Sequence, residues 1–253
     1  MGEMLKYDFG YTWPWVYGHL WAAAAFLLLA AATWWLGWPR LVRVACLGGA
    51  LWALAGFVIV HGVFRFNRPL VLPTQRFLNA GSGRVLDGGA GSGRSTLMVL
   101  LGRPRATVVA LDIFDNRFGI GDNTPERLLK NAAIAGVADR VEARAGDMRQ
   151  MPFESGSFDA AVSAYAIDHL RSKGVEQSLA EMARVLRPNG QLLLMVVNPD
   201  RWIFAAFPFM AAHGYFGHGP GTAHWRTALE TAGFDVVEQG TQPGSLYFLA
   251  ARK

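Results

Sequence analysis

Two apolar runs dominate the first quarter of the chain. "VYGHLWAAAAFLLLAAATWWLGW" (Val16–Trp38) contains no charged residue, and "VACLGGALWALAGFVIVHGVF" (Val44–Phe64) follows it after a short break. Between Trp13 and Phe64 the only formal charges are Arg40 and Arg43. A helix over the first run is roughly 34 Å long at about 1.5 Å per residue, enough to cross a hydrocarbon core. Trp13 and Trp15 flank one end of it, and Trp34, Trp35 and Trp38 the other. Tryptophan suits both interfaces of a bilayer. A signal peptide has a shorter apolar core and a small-residue cleavage site. A buried soluble pair of helices needs a shell of protein around it. The expectation is a transmembrane helical hairpin over 1–66, with Gly48, Gly49 and Gly56 permitting close helix approach.

A hairpin puts both of its ends on one side. Arg65, Arg68 and Arg76 after the second run outnumber Arg40 and Arg43 in the turn, so the positive-inside bias places the C-terminal part in the cytoplasm, on a multi-pass inner-membrane protein. The same three arginines would neighbour anionic headgroups. Pro69 and Pro73 stop the second helix from continuing, and 67–80 reads as a linker. The net charge is +5, but the basic residues are scattered rather than striped, which argues against a nucleic-acid partner. Cys46 is the only cysteine, so neither a disulfide framework nor a cysteine-based zinc site is available.

From 81 to 253 the pattern alternates between strand and helix. Apolar runs at "RVLDGG", "TVVALDI", "VEARAGD", "FDAAVSAYA" and "QLLLMVV" read as strands. The helices between them include "TPERLLKNAAIAGV", with Thr124 as N-cap, Pro125 at the first position and Gly136 as the stop. "GVEQSLAEMARVLRPNG" reads as an amphipathic helix ended by Pro-Asn-Gly. Two further β runs close the chain as a pair. Fully apolar strands in repeated β-α units imply an α/β fold, a mostly parallel sheet with helices on both faces.

In such sheets ligands bind beyond the carboxyl ends of the strands. "VLDGGAGSGRS" lies at the first of these ends. Its glycines do not fit the G-x-G-x-x-G of dinucleotide binding, because Gly89-x-Gly91 is followed by Arg94 at the last position. A nicotinamide oxidoreductase fails on that spacing, and a P-loop lacks its Gly-Lys-Ser/Thr. What stands here is Asp87-x-Gly89-x-Gly91-x-Gly93. Asp112 closes the second strand, "AGDMRQMPFESGSFDAAVSAYAIDHL" follows, and "EMARVLRPNGQLLLMV" leads into the fifth strand.

In these four motifs and their order, 77–253 resembles the class I S-adenosylmethionine-dependent methyltransferases. The resemblance implies a Rossmann-like seven-stranded sheet whose last strand is antiparallel. It implies S-adenosyl-L-methionine as cofactor, held by Asp87, Gly89, Gly91 and Gly93, by Asp112 at the ribose with Ile113 beside it, and by Asp147 and Met148 at the adenine. Asp87 suits hydrogen bonds either from the loop or from the cofactor's ammonium. Asp147 suits a helix cap as well. Methyl transfer from a sulfonium is an in-line displacement governed mainly by positioning, with a base needed only for a protonated nucleophile. Tyr165, Asp168 and His169 are the candidates for catalysis; helix capping by Asp168 and a surface role for His169 compete with this.

"NPDRWIFAAFPFMAAHGYFGHGPGTAHW" follows the fifth strand, where the family varies its acceptor cap. Trp202, Phe207, Phe209, His213 and Tyr215 are the candidate substrate-binding residues. The segment would line an apolar pocket, dip into the bilayer or fold into the core. His213, His218 and His224 match no metal-ligand spacing, so no metal is expected. The resulting expectation is a membrane-anchored methyltransferase acting on a lipid or other apolar acceptor that partitions into the bilayer. A phospholipid amine and a prenylated quinone both fit, the amine calling for an aromatic site such as Tyr165, Tyr215 or Trp225. The alternative is a non-catalytic S-adenosylmethionine-binding sensor or assembly factor.

Overall fold

The computed structural model describes residues 7–116, 120–209 and 221–253. The two apolar runs form α1 (Trp13–Trp35) and α2 (Arg40–Ile59), the latter continued by a π-turn over Val60–Phe64. They pack antiparallel. A Cβ on Gly49 would meet the Phe26 ring at 2.8 Å, and one on Gly56 would overlap the His19 ring, so both glycines sit where the helices touch. Gly48 faces open space. Both helices are long and apolar enough to cross a membrane, and only 22% of each apolar window is buried. A core helix of a soluble protein is mostly buried. Here Leu28, Trp35, Leu41 and Leu51 point outward.

The remainder builds one seven-stranded sheet in the order β3-β2-β1-β4-β5-β7-β6. Its strands are β1 (Ser82–Gly88), β2 (Arg105–Asp112), β3 (Val141–Ala145), β4 (Phe158–Ala164), β5 (Leu186–Val197), β6 (Phe234–Gln242) and β7 (Ser245–Arg252). The pairs from β3 through β5 are parallel, and β7 runs antiparallel to both neighbours. Among the described residues its helices are α3 (Arg94–Gly102), α4 (Pro125–Ile134), α5 (Ser172–Val185), α6 (Arg201–Ala206) and α7 (Thr222–Thr231).

Side-chain alternation along the strands separates two cores. Leu86, Leu192, Leu194 and Val196 pack with Leu179, Met182 and Leu229 of α5 and α7. Val85, Leu193 and Met195 pack with Leu97 and Met98 of α3 and Ala132 of α4. Helices therefore cover both faces. Thr124 caps α4 by accepting from the Arg127 N–H, and Gly136 ends it at φ +71°. Pro-Asn-Gly is not the end of α5, which stops at Val185. Leu186 already pairs with Phe158, and pairing resumes at Ala160 with Gln191, so Arg187–Gly190 bulge out of the strand with Asn189 at φ +61°.

Two stretches outside the sheet belong to this body rather than to a free tether. Within 67–80, Phe77 is fully buried and its carbonyl accepts from Arg103 Nε at 2.7 Å. The Leu78 N–H donates to Gln191 Oε1 at 2.6 Å. Ahead of the hairpin, Phe9 is buried in the core of the α3 face, and Tyr11 forms a β-bridge with Ile120. The connection over 67–80 is packed, because apolar side chains at Leu70, Leu72 and Phe77 join Phe9 at the edge of that core.

Candidate active site

The loop after β1 is wound by its glycines. Gly89, Gly91 and Gly93 have φ of +80°, +53° and +90°, a region costly for side chains with a Cβ. The Gly89 and Ala90 N–H groups both donate to Leu111 O, at 2.8 and 3.2 Å, which ties the loop to the end of β2. Gly89 also lies too close to β4's exit for any side chain: a Cβ would overlap Ala166 Cβ and stand 2.6 Å from Met148 Cε.

A cavity of about 440 Å³ opens beside this loop at the carboxyl ends of β1, β2 and β4. That volume lies within the range of small-molecule sites. Gly89, Gly91, Asp112, Ile113, Asp147 and Met148 all line it. Six of the eight residues expected to hold the cofactor are therefore brought together. Asp112 organises its end of the cavity: Oδ2 accepts from the Gly91 N–H at 2.8 Å, and Oδ1 from the Phe114 N–H at 2.6 Å and Asn123 Nδ2 at 3.1 Å. Asp147 forms an ion pair of 2.5 Å with Arg149, which holds its carboxyl below the usual range.

The other two expected residues stand off the cavity. Asp87 is fully buried behind the loop, accepting from the hydroxyls of Ser95 at 2.8 Å and Thr96 at 2.6 Å. It pins the first turn of α3 to β1. Burial pushes its carboxyl up to about 6, although the two hydroxyls oppose that shift. Gly93 turns the chain into α3, where a Cβ would press on Leu128 Cγ at 2.9 Å.

The candidates for catalysis also divide. Tyr165 and His169 line the cavity. Tyr165 has φ +56°, a strained conformation for a non-glycine residue, and its N–H is held by Met195 O at 2.9 Å. Burial pushes its phenol above the ordinary value. Asp168 instead turns inward, is 2% exposed, and accepts from the Val197 N–H at 2.9 Å. It ties the turn after β4 to the end of β5 and does not line the cavity.

Of the candidate substrate residues, Phe207 is buried against the hairpin, with its ring 5.2 Å from Trp15 and 5.3 Å from His19. It belongs to a cluster with Val60 and Ala206, not to the cavity wall. Trp202 is half-buried beneath Arg201, and Phe209 is exposed. His213 and Tyr215, with Phe216 and His218, lie outside the described residues. Trp225 is a core residue, buried against the α5 face, and so is no aromatic site for an ammonium.

Sequence reasoning missed two contributors. Asn123 lines the cavity, and its buried Oδ1 has no hydrogen-bond partner among the described residues. Its position directly before the Thr-Pro cap of α4 was a usable signal. The segment 8–11 was missed as well. Ser92 Oγ donates to Phe9 O at 2.7 Å, Asn131 Nδ2 to Asp8 O at 2.7 Å, and the Gly121 N–H to Gly10 O at 2.7 Å. Tyr11 lines a smaller cavity of about 60 Å³ that shares Gly89, Gly91, Ile120 and Tyr165 with the larger one.

Acceptors at Asp112 and Asn123 Oδ1, apolar walls at Ile113, Met148 and Leu170, and a glycine cradle suit a nucleoside carrying free ribose hydroxyls. Residues 86–194 match the family model described as a methyltransferase domain. The ubiquinone/menaquinone biosynthesis C-methyltransferase UbiE of Bartonella tribocorum is 34% identical over 136 residues, covering 49% of this chain and 49% of that one. The corresponding protein of Hahella chejuensis is 33% identical over 140 residues, covering 51% and 52%. The chain thus spans about half the length of the curated relatives it matches. Among solved structures, 1,6-didemethyltoxoflavin-N1-methyltransferase from Burkholderia thailandensis, with bound S-adenosylhomocysteine, superposes with a TM-score of 0.50 at 20% identity over 81% of this chain and 79% of that one. At that identity the likeness speaks for the fold. Residues 86–194 are thus similar to a methyltransferase domain, and the sheet has the fold of the methyltransferase it superposes on.

Proposed function

We propose that this chain is a membrane-held S-adenosylmethionine-dependent methyltransferase whose acceptor is a lipid or another apolar molecule dissolved in the bilayer. Bound in the larger cavity, the cofactor supplies a methyl already activated on sulfur. Asp112 and Asn123 would hold its ribose hydroxyls, and Ile113 and Met148 would line its base. Tyr165 and His169 stand on the wall shared with the acceptor's side, where they orient the nucleophile. His169 takes a proton if the acceptor brings one.

The observation that carries the membrane part is the joint at Arg94. Its guanidinium donates to Phe64 O at 2.7 Å, Arg65 O at 2.9 Å and Arg68 O at 2.8 Å, where the second apolar helix ends. It also lies 5.7 Å from the centroids of the Tyr11 and Phe66 rings. Arg94 is the residue that directly follows the glycine loop. The hairpin is thus bonded to the cofactor loop itself, with no free span between them. Such a tether gains nothing for a freely soluble substrate and raises the effective concentration of one in the lipid.

Between a phospholipid amine and a prenylated quinone, the relatives' names favour the quinone. The arginine bias supports a cytoplasmic side for both ends of the hairpin. Mass spectrometry of membrane lipids from cells with and without the protein, fed labelled methionine, tests the reading. A labelled lipid present only with the protein is the expected result. Label confined to water-soluble metabolites overturns the acceptor class, and no protein-dependent label, with cofactor binding intact, favours the sensor.

A further inference from the structure

The segment after β5 changes character within ten residues. It starts with Asp200, Arg201 and Trp202 and ends with Phe204, two alanines, Phe207, Pro208 and Phe209. Asp200 Oδ1 caps the start of α6 by accepting from the Trp202 and Ile203 N–H groups. At the far end no local side-chain cap stands among the described residues. The last carbonyls of a helix lack partners within it. Here the Ala205 and Ala206 carbonyls are met by side chains of the hairpin: Trp52 Nε1 donates to Ala205 O at 2.8 Å, and His19 Nε2 to Ala206 O at 2.7 Å.

His19 is the seventh residue of α1, roughly 9 Å along that helix at about 1.5 Å per residue. Gly56, which packs on His19, marks the same level of α2, and Trp52 lies one turn further from the domain. The Ala205 and Ala206 carbonyls are therefore held about two turns inside the domain end of the hairpin, while Phe207 packs on Trp15 and Phe64 at that end. Phe204 and Phe209 are exposed beside it.

We propose that Phe204–Phe209 is a third membrane-seated element, lying within the apolar part of the leaflet, with His19 and Trp52 as the donors that make this possible. The inference rests on the hairpin spanning the bilayer. Inside hydrocarbon an unpaired carbonyl costs several kcal/mol, so irregular backbone enters only where protein groups satisfy it. His19 and Trp52 carry N–H donors on mostly apolar helices, and both spend that N–H on this one helix end. Arg201 and Trp202, at the other end, are the residue types that settle at the headgroup boundary. The occupant of the exposed Phe204 and Phe209 surface is then acyl chain, continuous with the lipid around α1 and α2. Since α6 leads directly from the carboxyl end of β5, the acceptor's side of the sheet is reached from within the leaflet.

Spin labels on the full chain in phosphatidylethanolamine–phosphatidylglycerol bilayers test this, with Cys46→Ser removing the native thiol. Labels go at Phe204→Cys and Phe209→Cys, at Leu28→Cys as the lipid reference and at Lys130→Cys as the aqueous one. At 204 and 209, collision with oxygen should exceed collision with a water-soluble nickel complex, as at 28. The aqueous pattern of 130 at these two sites, with 28 still in lipid, overturns the inference alone. An aqueous pattern at 28 overturns the spanning hairpin itself. Combining His19→Leu with Trp52→Phe should reverse the 209 pattern toward water, and His19→Gln alone should leave it in lipid. A label that stays in lipid without either donor removes the capping role.

Discussion

Ser92 in the glycine loop hydrogen-bonds the carbonyl of Phe9, 83 residues earlier in the chain and on the far side of both apolar helices. The contact is buried. The chain leaves the sheet domain, runs up and down the hairpin, and returns to within one residue of the same loop at Arg94. The cofactor loop is thus clamped between the two ends of the hairpin.

Removing the clamp should loosen the site. Ser92→Ala leaves the buried Phe9 carbonyl unpaired, at a cost of about 1–3 kcal/mol. Denaturant unfolding in detergent measures the loss. Hydrogen exchange at residues 8–11 should rise with it, and unchanged protection there would show that the segment is held by other contacts.

Asp112→Ala should weaken S-adenosylmethionine binding by about 1–3 kcal/mol, through lost ribose acceptors and a slackened Gly91. Asn123→Ala should cost less, because Asp112 keeps two of its three donors. Calorimetry measures both, and NADH should give no heat. Unchanged affinity in a folded Asp112→Ala protein would remove Asp112 from the site.

The two glycines at the ends of the loop should fail in different ways. Gly89→Ala drives a Cβ into Ala166 on the cavity wall, so cofactor affinity should fall at least as far as stability. Gly93→Ala presses on Leu128 behind the cavity. It should lower the midpoint of unfolding and leave the affinity of the remaining folded protein nearly unchanged. Equal losses in both properties for both variants would contradict this division.

Asp87 should make stability fall as pH rises from about 4 to about 6. Its buried carboxyl keeps its proton up to about 6, whereas the unfolded chain releases it near 3.8. Unfolding in that window releases a proton, so the favourable contribution present at low pH is lost as pH rises, by on the order of 1–3 kcal/mol. Asp87→Asn should flatten this part of the profile, as read by denaturant midpoints at several pH values. A slope unchanged in the variant would assign the effect to another group.

Phe207→Ser and Phe209→Ser should part company as well. Phe207 is 5% exposed and Phe209 54%. Losing the buried ring should cost about 3–5 kcal/mol, seen as a large drop in thermal midpoint. The exposed one should leave the midpoint within a degree or two while lowering activity on acceptor presented in bilayers.

Much of this protein was legible along the chain because its signals are local. An uncharged run of helical length, an alternation of apolar strands with capped helices, and a glycine spacing after an aspartate each complete themselves within a few residues. They determined the hairpin helices, the order of the strands and the glycine loop, while Asp112, Asp147 and Met148 were implied by the family resemblance. Tertiary structure decided the direction of individual side chains. Asp87 and Asp168 face inward because hydroxyls at Ser95 and Thr96 and the Val197 N–H wait there. Phe207 is buried because the hairpin folds back beside it. Asp8 to Tyr11 join the site through partners at Ser92, Ile120 and Asn131, more than 80 residues away. No periodicity records such a contact, since four residues are too few to show one, and their energy exists only once the sheet has brought the loop to them.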